Sequence, residues 1–165
     1  MDKKEFQKKI VEWLLKYLKD RYSKKYSLKV IVPETNLSKI SIEEIKRVPH
    51  YSSLEFKPDI LGILINKQTG KVELVFLNMN MSTISLKDIG EMHCYSDLAK
   101  PEIAFIVSTK GLPGEVNLLL INDIIQKNLL DYDKDKSIIV FGWDTKNNKV
   151  DTLSVFPIEK RKYIT

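Results

Sequence analysis

Residues 58–80, PDILGILINKQTGKVELVFLNMN, decide the fold of this chain. Two apolar runs flank the turn-rich segment 66–71, and this pattern predicts two strands joined by a hairpin loop. Side chains alternate between the two faces of a strand, so Asn78 and Asn80 at the end of the second run are expected to share one face. The hairpin therefore predicts a sheet with a polar patch where its second strand ends.

The rest of the chain extends this hairpin into a mixed sheet flanked by helices. Apolar residues at three- and four-residue spacing predict an amphipathic helix over 3–22. Ser85 and Asp88 form a capping-box pattern that begins a second helix, which runs to about Ala99. The remaining predictions are a loop over one face of the sheet at 34–56, a helix at about 115–130, and strands at 28–33, 103–107, 137–143 and 150–156. This order indicates the α/β fold class, as an α+β sandwich with a mixed central sheet and an αβββαβ core.

The composition fits a single globular domain over residues 1–165. Hydrophobic residues make up 43% of the chain and charged residues 30%, which excludes collagen-like, disordered and membrane-spanning classes. Charged side chains interrupt the apolar residues of the amino terminus, so this segment is expected to belong to the fold rather than to a signal peptide. The single cysteine, Cys94, is expected to be a small buried residue and indicates a reducing, cytoplasmic compartment.

Positive charge is concentrated at the amino terminus. The chain carries 27 Lys and Arg against 22 Asp and Glu, a net charge of +5. Residues 1–30 hold ten of the basic and four of the acidic residues, whereas residues 31–165 hold 17 and 18. A basic stripe that contains Lys8, Lys9 and Lys16 can attract a polyanion such as DNA, although a solvated helix face explains the same pattern.

The hairpin and the helix after it carry the motif pattern of a nuclease family. Pro-Asp at 58–59 opens the first strand, Asn78 and Asn80 close the second, and the segment 84–91 leads into the helix. This arrangement resembles the PD-(D/E)XK nuclease superfamily over about residues 55–110. In that family Pro-Asp begins one strand, Glu-x-Lys or Asp-x-Lys ends the next, and a helix follows. The resemblance implies a restriction endonuclease-like domain, DNA as the partner, and Mg²⁺-dependent hydrolysis of phosphodiesters.

The signature of this family is incomplete in the present chain. Asn78 stands at the carboxylate position and Asn80 at the lysine position, so Asp59 alone matches. An amide oxygen can bind Mg²⁺ but brings no charge, and an amide cannot replace an ammonium group as a point charge or proton donor. Glu73 is a poor substitute because an odd offset of five residues puts it on the face opposite Asn78, far along the strand.

The helix after the hairpin offers another acidic residue. In some members of the family the second acidic ligand lies on this helix, and Glu91 is the candidate in this chain. Asp59, Asn78 and Glu91 then form a predicted weak Mg²⁺ site. Either Lys57 or Lys87 would take the place of the missing lysine and contact the nucleic acid.

Two further residues on this helix are expected to support the site. Positions 88, 91 and 95 fall on one side of a helix, so Asp88 and Tyr95 would point in the same direction as Glu91. The role predicted for Tyr95 is to orient this helix face.

These patterns lead to three hypotheses about function. The first is a DNA-engaging, Mg²⁺-dependent phosphodiesterase, a deoxyribonuclease with a degenerate active site. The second is a catalytically inactive pseudonuclease that serves as a DNA-binding or protein-interaction subunit. The third is an interaction protein without a nucleic-acid role, which forms a homodimer through an open sheet edge or its closing strands. No membrane partner and no small-molecule cofactor are expected, because no glycine-rich phosphate loop or dinucleotide fingerprint is present.

Overall fold

The computed structural model describes residues 1–164, and one seven-stranded mixed sheet organises them. Its strands are β1 (Tyr26–Ile31), β2 (Ile60–Asn66), β3 (Val72–Asn80), β4 (Ile103–Ser108), β5 (Asp131–Asp133), β6 (Lys136–Asp144) and β7 (Lys149–Phe156). The strand order is β1-β2-β3-β4-β6, and both β5 and β7 pair with β6. Strand β2 is antiparallel to its neighbours β1 and β3, whereas β3, β4 and β6 run parallel. The predicted α/β class with a mixed central sheet is confirmed.

Helices cover both faces of this sheet. They are α1 (Lys3–Tyr22), α2 (Glu43–Lys46), α3 (Leu86–Ala99), α4 (Gly114–Ile121), α5 (Asp123–Leu130) and α6 (Arg161–Ile164), with short 3₁₀ turns at Leu37–Lys39, Tyr51–Ser53 and Ile158–Lys160. The chain order α1-β1-β2-β3-α3-β4 is the predicted αβββαβ core. No helix within residues 1–164 is both long enough and apolar enough to cross a membrane.

The loop between β2 and β3 is stabilised by hydrogen bonds from its own backbone N–H groups. The side chain of Asn66 accepts hydrogen bonds from the N–H groups of Gln68 and Thr69, at 2.9 and 3.0 Å. Gly70 has φ +70°, a backbone conformation that is cheap only for glycine. Backbone pairing between β2 and β3 runs from Ile65 opposite Val72 to Ile60 opposite Leu77. It places the start of β2 beside the end of β3.

Alternation along the strands separates two hydrophobic layers. Buried side chains of α1 pack on one face of the sheet, against a cluster that includes Val75 and Leu77 of β3. The other face carries Leu74 and Phe76 and is covered by α3 and the segment 34–56. The predicted loop over one face is therefore confirmed, and it contains α2 and two 3₁₀ turns.

Two predicted elements have different boundaries in the structure. The helix predicted at 115–130 is two helices, because Asn122 leaves the helical conformation and its side chain accepts from the N–H groups of Ile124 and Ile125, both at 3.1 Å. It thus caps α5 and separates it from α4. The strand predicted at 28–33 begins earlier and ends before Pro33, which has no N–H to donate to a ladder.

The structure also contains elements that the sequence analysis did not predict, and it corrects one burial prediction. Strand β5, the 3₁₀ turn before α6, and α6 itself are too short to produce a periodic pattern. Cys94 was expected to be buried but is exposed. It lies two residues, or about 200°, around α3 from the buried Met92.

Candidate functional site

Asp59 and Asn78 face each other where β2 begins and β3 ends. The side-chain oxygen Oδ2 of Asp59 accepts a hydrogen bond from the backbone N–H of Met79 at 2.7 Å. In return the backbone N–H of Asp59 donates to Oδ1 of Asn78 at 3.3 Å. These reciprocal bonds lie just beyond the last backbone pair, Ile60–Leu77, and extend the ladder with side-chain atoms. We call this pair the Asp59–Asn78 clamp.

The face predicted for the asparagines agrees with the packing of β3. Leu74 and Phe76 belong to the layer under α3, whereas Val75 and Leu77 belong to the layer under α1. Asn78 continues the first series, so it lies on the α3 side of the sheet.

Asn80 is held by the turn that leads into α3. Its Nδ2 donates to Oδ2 of Asp88 at 3.0 Å, and its Oδ1 accepts from Oγ of Ser82 at 2.8 Å. The same Asp88 oxygen accepts from the N–H and hydroxyl groups of Ser85, at 2.7 and 2.8 Å, and so completes the predicted capping box. Asn80 therefore joins the end of β3 to the first turn of α3, in the place where the family pattern has a lysine.

Of the three residues predicted to share one side of α3, Asp88 and Tyr95 make side-chain hydrogen bonds within residues 1–164 and Glu91 does not. Asp88 bonds to β3 through Asn80. The hydroxyl of Tyr95 donates to the backbone oxygen of Glu55 at 3.1 Å, and its ring stacks on Phe56 with centroids 4.8 Å apart. Glu91 is exposed, and its side chain makes no hydrogen bond or ion pair with any residue in the described range 1–164. Tyr95 thus anchors α3 to the segment that leads into Asp59, which agrees with an orienting role.

The donor atoms at this site differ from those of a two-carboxylate magnesium site. Asp59 supplies one carboxylate, and its Oδ2 and the Oδ1 of Asn78 are already bonded to backbone N–H groups. Within the part of the chain that the structure describes, no three Asp, Glu, His or Cys side chains form a group that could hold a metal ion. Magnesium binding by Asp59, Asn78 and Glu91 stays a prediction.

Exposed lysines lie around the clamp. Lys57 is two residues before Asp59, and Lys87 lies in the first turn of α3. The side chain of Gln7 donates to the backbone oxygen of Asp59 at 3.4 Å, so the first turns of α1, with Lys8, lie at this edge of the sheet. We call these three lysines and the clamp the carboxyl-edge surface, because β3 ends there.

Two further predicted contacts for nucleic acid lie on α1. Lys16 is exposed and Lys9 is half-exposed. Among residues 1–164, none of Lys8, Lys9, Lys16, Lys57 and Lys87 forms an ion pair within 4.0 Å. Their charges are therefore available to an external anion.

A second cluster of polar residues lies at the opposite edge of the sheet, where β3 and β4 begin. Glu73 accepts from the hydroxyl of Tyr26 at 3.2 Å and pairs with Lys71 at 3.0 Å. Glu102 accepts from the hydroxyl of Tyr22 at 3.4 Å and lies 3.5 Å from Nζ of Lys136. Sequence analysis had correctly placed Glu73 far from Asn78 but did not find this cluster, because its members come from separate elements without a common spacing.

Burial and charge act on the two carboxyl groups of this cluster in different ways. Burial, and then the nearby Glu73, raise the pKa of Glu102. Burial opposes ionisation of Glu73 as well, but the hydrogen bond and charge of Lys71 outweigh it and lower the pKa of Glu73. Glu102 is the carboxyl group that holds a proton more readily in the folded state.

Comparisons with models of protein families, with curated proteins and with solved structures find no significant match to this chain.

Proposed function

We propose that this protein is a pseudonuclease of PD-(D/E)XK type, which binds DNA through α1 and the carboxyl-edge surface and does not cleave it. The observation that carries the proposal is the Asp59–Asn78 clamp. Both side chains hold backbone N–H groups at the position where the nuclease pattern requires metal ligands. The atoms that would coordinate a catalytic metal thus stabilise the end of the hairpin instead.

The support for a nuclease-like origin comes from the order and placement of the elements. A hairpin with Asp59 at the start of its first strand leads through a capped helix, α3, into the parallel strand β4. That arrangement agrees with the resemblance over about residues 55–110. A fold alone does not set an activity, so the proposal depends on the chemistry at the strand ends.

The support for absence of cleavage is the chemistry of Asn78 and Asn80. Phosphodiester hydrolysis with Mg²⁺ needs carboxylates to hold the metal and a cation to stabilise the charge that develops on the phosphate. Neither amide carries a charge, and Asn80 is bonded to Asp88 and Ser82. The side chain of Glu91 is exposed on α3, and no hydrogen bond or ion pair within residues 1–164 joins it to the clamp.

The support for DNA binding is the position of the excess charge. Residues 1–30 carry a net charge of +6, from ten basic and four acidic residues, and the lysines of α1 named above form no ion pairs within residues 1–164. Cations of this kind neutralise backbone phosphates and release counterions, which drives binding without sequence preference. A DNA-binding role also agrees with the cytoplasmic compartment that the single cysteine indicates.

The test combines binding and cleavage assays on the same protein. Fluorescence anisotropy measures binding to duplex, single-stranded and branched DNA, and the same substrates are then incubated with Mg²⁺ or Mn²⁺. We expect binding without cleavage. Cleavage that is lost in Asp59→Asn, which keeps a hydrogen-bond acceptor for Met79 but no charge, would show that the centre is an active nuclease. Absence of binding to every DNA would overturn the proposal and favour the homodimerising interaction protein.

Restoration of the family pattern provides a second test. The variant Asn78→Glu/Asn80→Lys places the missing carboxylate and ammonium groups at the end of β3. We expect metal-dependent cleavage to appear in this variant and to be lost again when Asp59→Asn is added. The matched control is Asn78→Gln/Asn80→Gln, which lengthens both side chains without adding charge.

A further inference from the structure

A cavity of about 330 Å³ lies at the amino ends of β4 and β6, on the α1 side of the sheet. The last turns of α1, the turn between β5 and β6, and the segment around α6 surround it. Its charged lining consists of four cations and two acids: Arg21, Lys134, Lys136, Lys160, Glu102 and Asp135. The cavity is thus separate from the Asp59–Asn78 clamp, which lies at the other edge of the sheet on the α3 side.

The cations of this cavity are only partly neutralised by its acids. Glu102 lies 3.5 Å from Nζ of Lys136. Lys134 and Lys160 form no ion pair with any residue in the range 1–164, and the guanidinium of Arg21 lies 4.1 Å above the ring of Tyr17. The lining as a whole therefore carries a formal charge of +2, four cations less two acids. A concave, positively charged site selects small anions.

We propose that this cavity binds the phosphate monoester of a nucleotide. A phosphate monoester carries a charge of about −1.5 to −2 at pH 7, whereas each phosphodiester of a DNA backbone carries one negative charge. Arginine and lysine are the residues that bind phosphate through charge-assisted hydrogen bonds. The cavity is concave and open to solvent, so it can admit a free nucleotide or the end of a DNA strand.

An aromatic ring at the mouth of the cavity supports a nucleotide over a bare phosphate. Tyr163 lines the cavity and is 48% exposed, and Nζ of Lys162 lies 4.8 Å from the centroid of its ring. A base that stacks on Tyr163 would use the ring face away from Lys162. Tyr17 is buried and Tyr22 is half-buried, so their rings offer less surface to a ligand.

The nucleotide can come from two sources. It is either a free mononucleotide or the phosphorylated terminal nucleotide of a DNA strand. The second source rests on the proposed DNA-binding function, and the position of the cavity suits it. Helix α1 runs from the carboxyl-edge surface, where Gln7 contacts Asp59, to the cavity, which Arg21 lines. The end of a DNA strand that lies along the lysines of α1 would then reach the cavity.

Isothermal titration calorimetry with dAMP and with deoxyadenosine tests the phosphate requirement. We expect dAMP to bind about tenfold or more tightly than deoxyadenosine, and Lys134→Ala/Lys160→Ala to remove this difference. Neither lysine is buried, so the double variant should fold. The matched control, Lys127→Ala/Lys146→Ala, removes the same charge from exposed positions elsewhere and should bind dAMP like the wild type. Equal binding of both ligands, or equal weakening in both double variants, would overturn the proposal.

Oligonucleotides of one sequence with 5′-phosphate, 3′-phosphate or hydroxyl ends distinguish the two sources. Tighter binding of a phosphorylated end, lost in Lys134→Ala/Lys160→Ala, supports strand-end recognition. Preference for dAMP without any preference among the oligonucleotides supports a free nucleotide. Binding of the hydroxyl-ended strand reports on α1 and the carboxyl-edge surface without the cavity, so failure of DNA binding and failure of the cavity are observed separately.

Discussion

At the scale of single residues, the hydrogen bonds of the Asp59–Asn78 clamp show which partners the polar atoms of the candidate centre have. In a metal site, the oxygens of a carboxylate and an amide coordinate the metal ion. In a structural contact, the same oxygens accept hydrogen bonds from the protein. Here each side chain is bonded to the other strand's backbone, at 2.7 and 3.3 Å. Such bonds extend a hairpin by one pair and contribute to the free energy of unfolding.

A structural role for Asp59 predicts a measurable loss of stability on truncation. Asp59→Ala leaves the N–H of Met79 without its acceptor, so we expect the free energy of unfolding to fall by about 1–2 kcal/mol. Asp59→Asn retains an acceptor and should cost clearly less. Urea denaturation measures both values. Equal stability of the wild type and Asp59→Ala would mean that the carboxylate is not a structural contact.

Glu102 predicts a specific dependence of stability on pH. Burial and the neighbouring Glu73 raise its pKa above the ordinary 4.5, so between 4.5 and the folded-state pKa the native state binds more protons than the unfolded state. This contribution to stability is complete below pH 4.5 and is lost as pH rises through the folded-state pKa. Glu102→Gln cannot ionise and should therefore gain stability relative to the wild type as pH rises through this window.

Urea denaturation at a series of pH values measures this difference. The control is Glu73→Gln, whose effect should have the opposite sign, because the pKa of Glu73 is lowered and its contribution is lost as pH falls through the folded-state pKa. A difference between Glu102→Gln and the wild type that does not change with pH would contradict the prediction.

At the scale of elements, α1 packs closely on the hairpin at Gly62. Gly62 lies in the middle of β2, and a Cβ atom there would lie 2.8 Å from Cβ of Val75 and 3.1 Å from Cδ1 of Leu18. The absence of a side chain at this position allows α1 to pack directly on the strands. The basic helix is thereby fixed across the same hairpin that carries the clamp.

Gly62→Ala should separate α1 from the sheet. The added methyl group overpacks the contact with Val75 and Leu18, and we expect a loss of about 1–3 kcal/mol in the free energy of unfolding. Gly90→Ala is the matched control: a Cβ on this exposed glycine of α3 would meet no atom within 4 Å. Higher helix propensity should make Gly90→Ala about 1 kcal/mol more stable than the wild type. A neutral effect of Gly62→Ala in thermal or urea denaturation would refute the close packing.

At the scale of the whole molecule, charge is distributed unevenly along the chain and across the fold. The net charge of +5 is the sum of +6 in residues 1–30 and −1 in residues 31–165. Helix α1, with seven basic and three acidic residues, carries +4 of this excess on the outer side of one sheet face, and Lys57 and Lys87 add to it at the carboxyl edge. Binding of DNA to such a surface should depend strongly on salt.

Salt dependence identifies the lysines that contact DNA. Each lysine that neutralises a duplex phosphate contributes about 0.9 to the slope of log K against log salt. Lys8→Ala/Lys16→Ala should therefore reduce the slope, whereas Lys127→Ala/Lys146→Ala, with the same change in net charge, should leave it nearly unchanged. Equal slopes for the two double variants would assign the binding to net charge rather than to α1.

The sequence by itself determined the secondary structure of the core. Apolar periodicity predicted α1, the hairpin, α3 and β4, because each is long enough to bury a regular series of side chains. Ser85 and Asp88 predicted the start of α3, since a capping box depends only on residues within one helical turn. Alternation along β3 also predicted that Asn78 and Glu73 lie on opposite faces, at opposite ends of the strand.

Tertiary structure alone decided how the polar residues are used. Which atom of Asp59 or Asn78 accepts which N–H depends on the register between β2 and β3 and is not encoded in spacing along the chain. Which of Asp88, Glu91 and Tyr95 finds a partner depends on what packs against α3, and not on the helix period. The cationic cavity collects residues from α1, the β5–β6 turn and the segment around α6, which are distant in sequence. Local sequence patterns determine helices and strands because the interactions that stabilise them join residues close in sequence. A site requires contacts that form only when distant segments pack together.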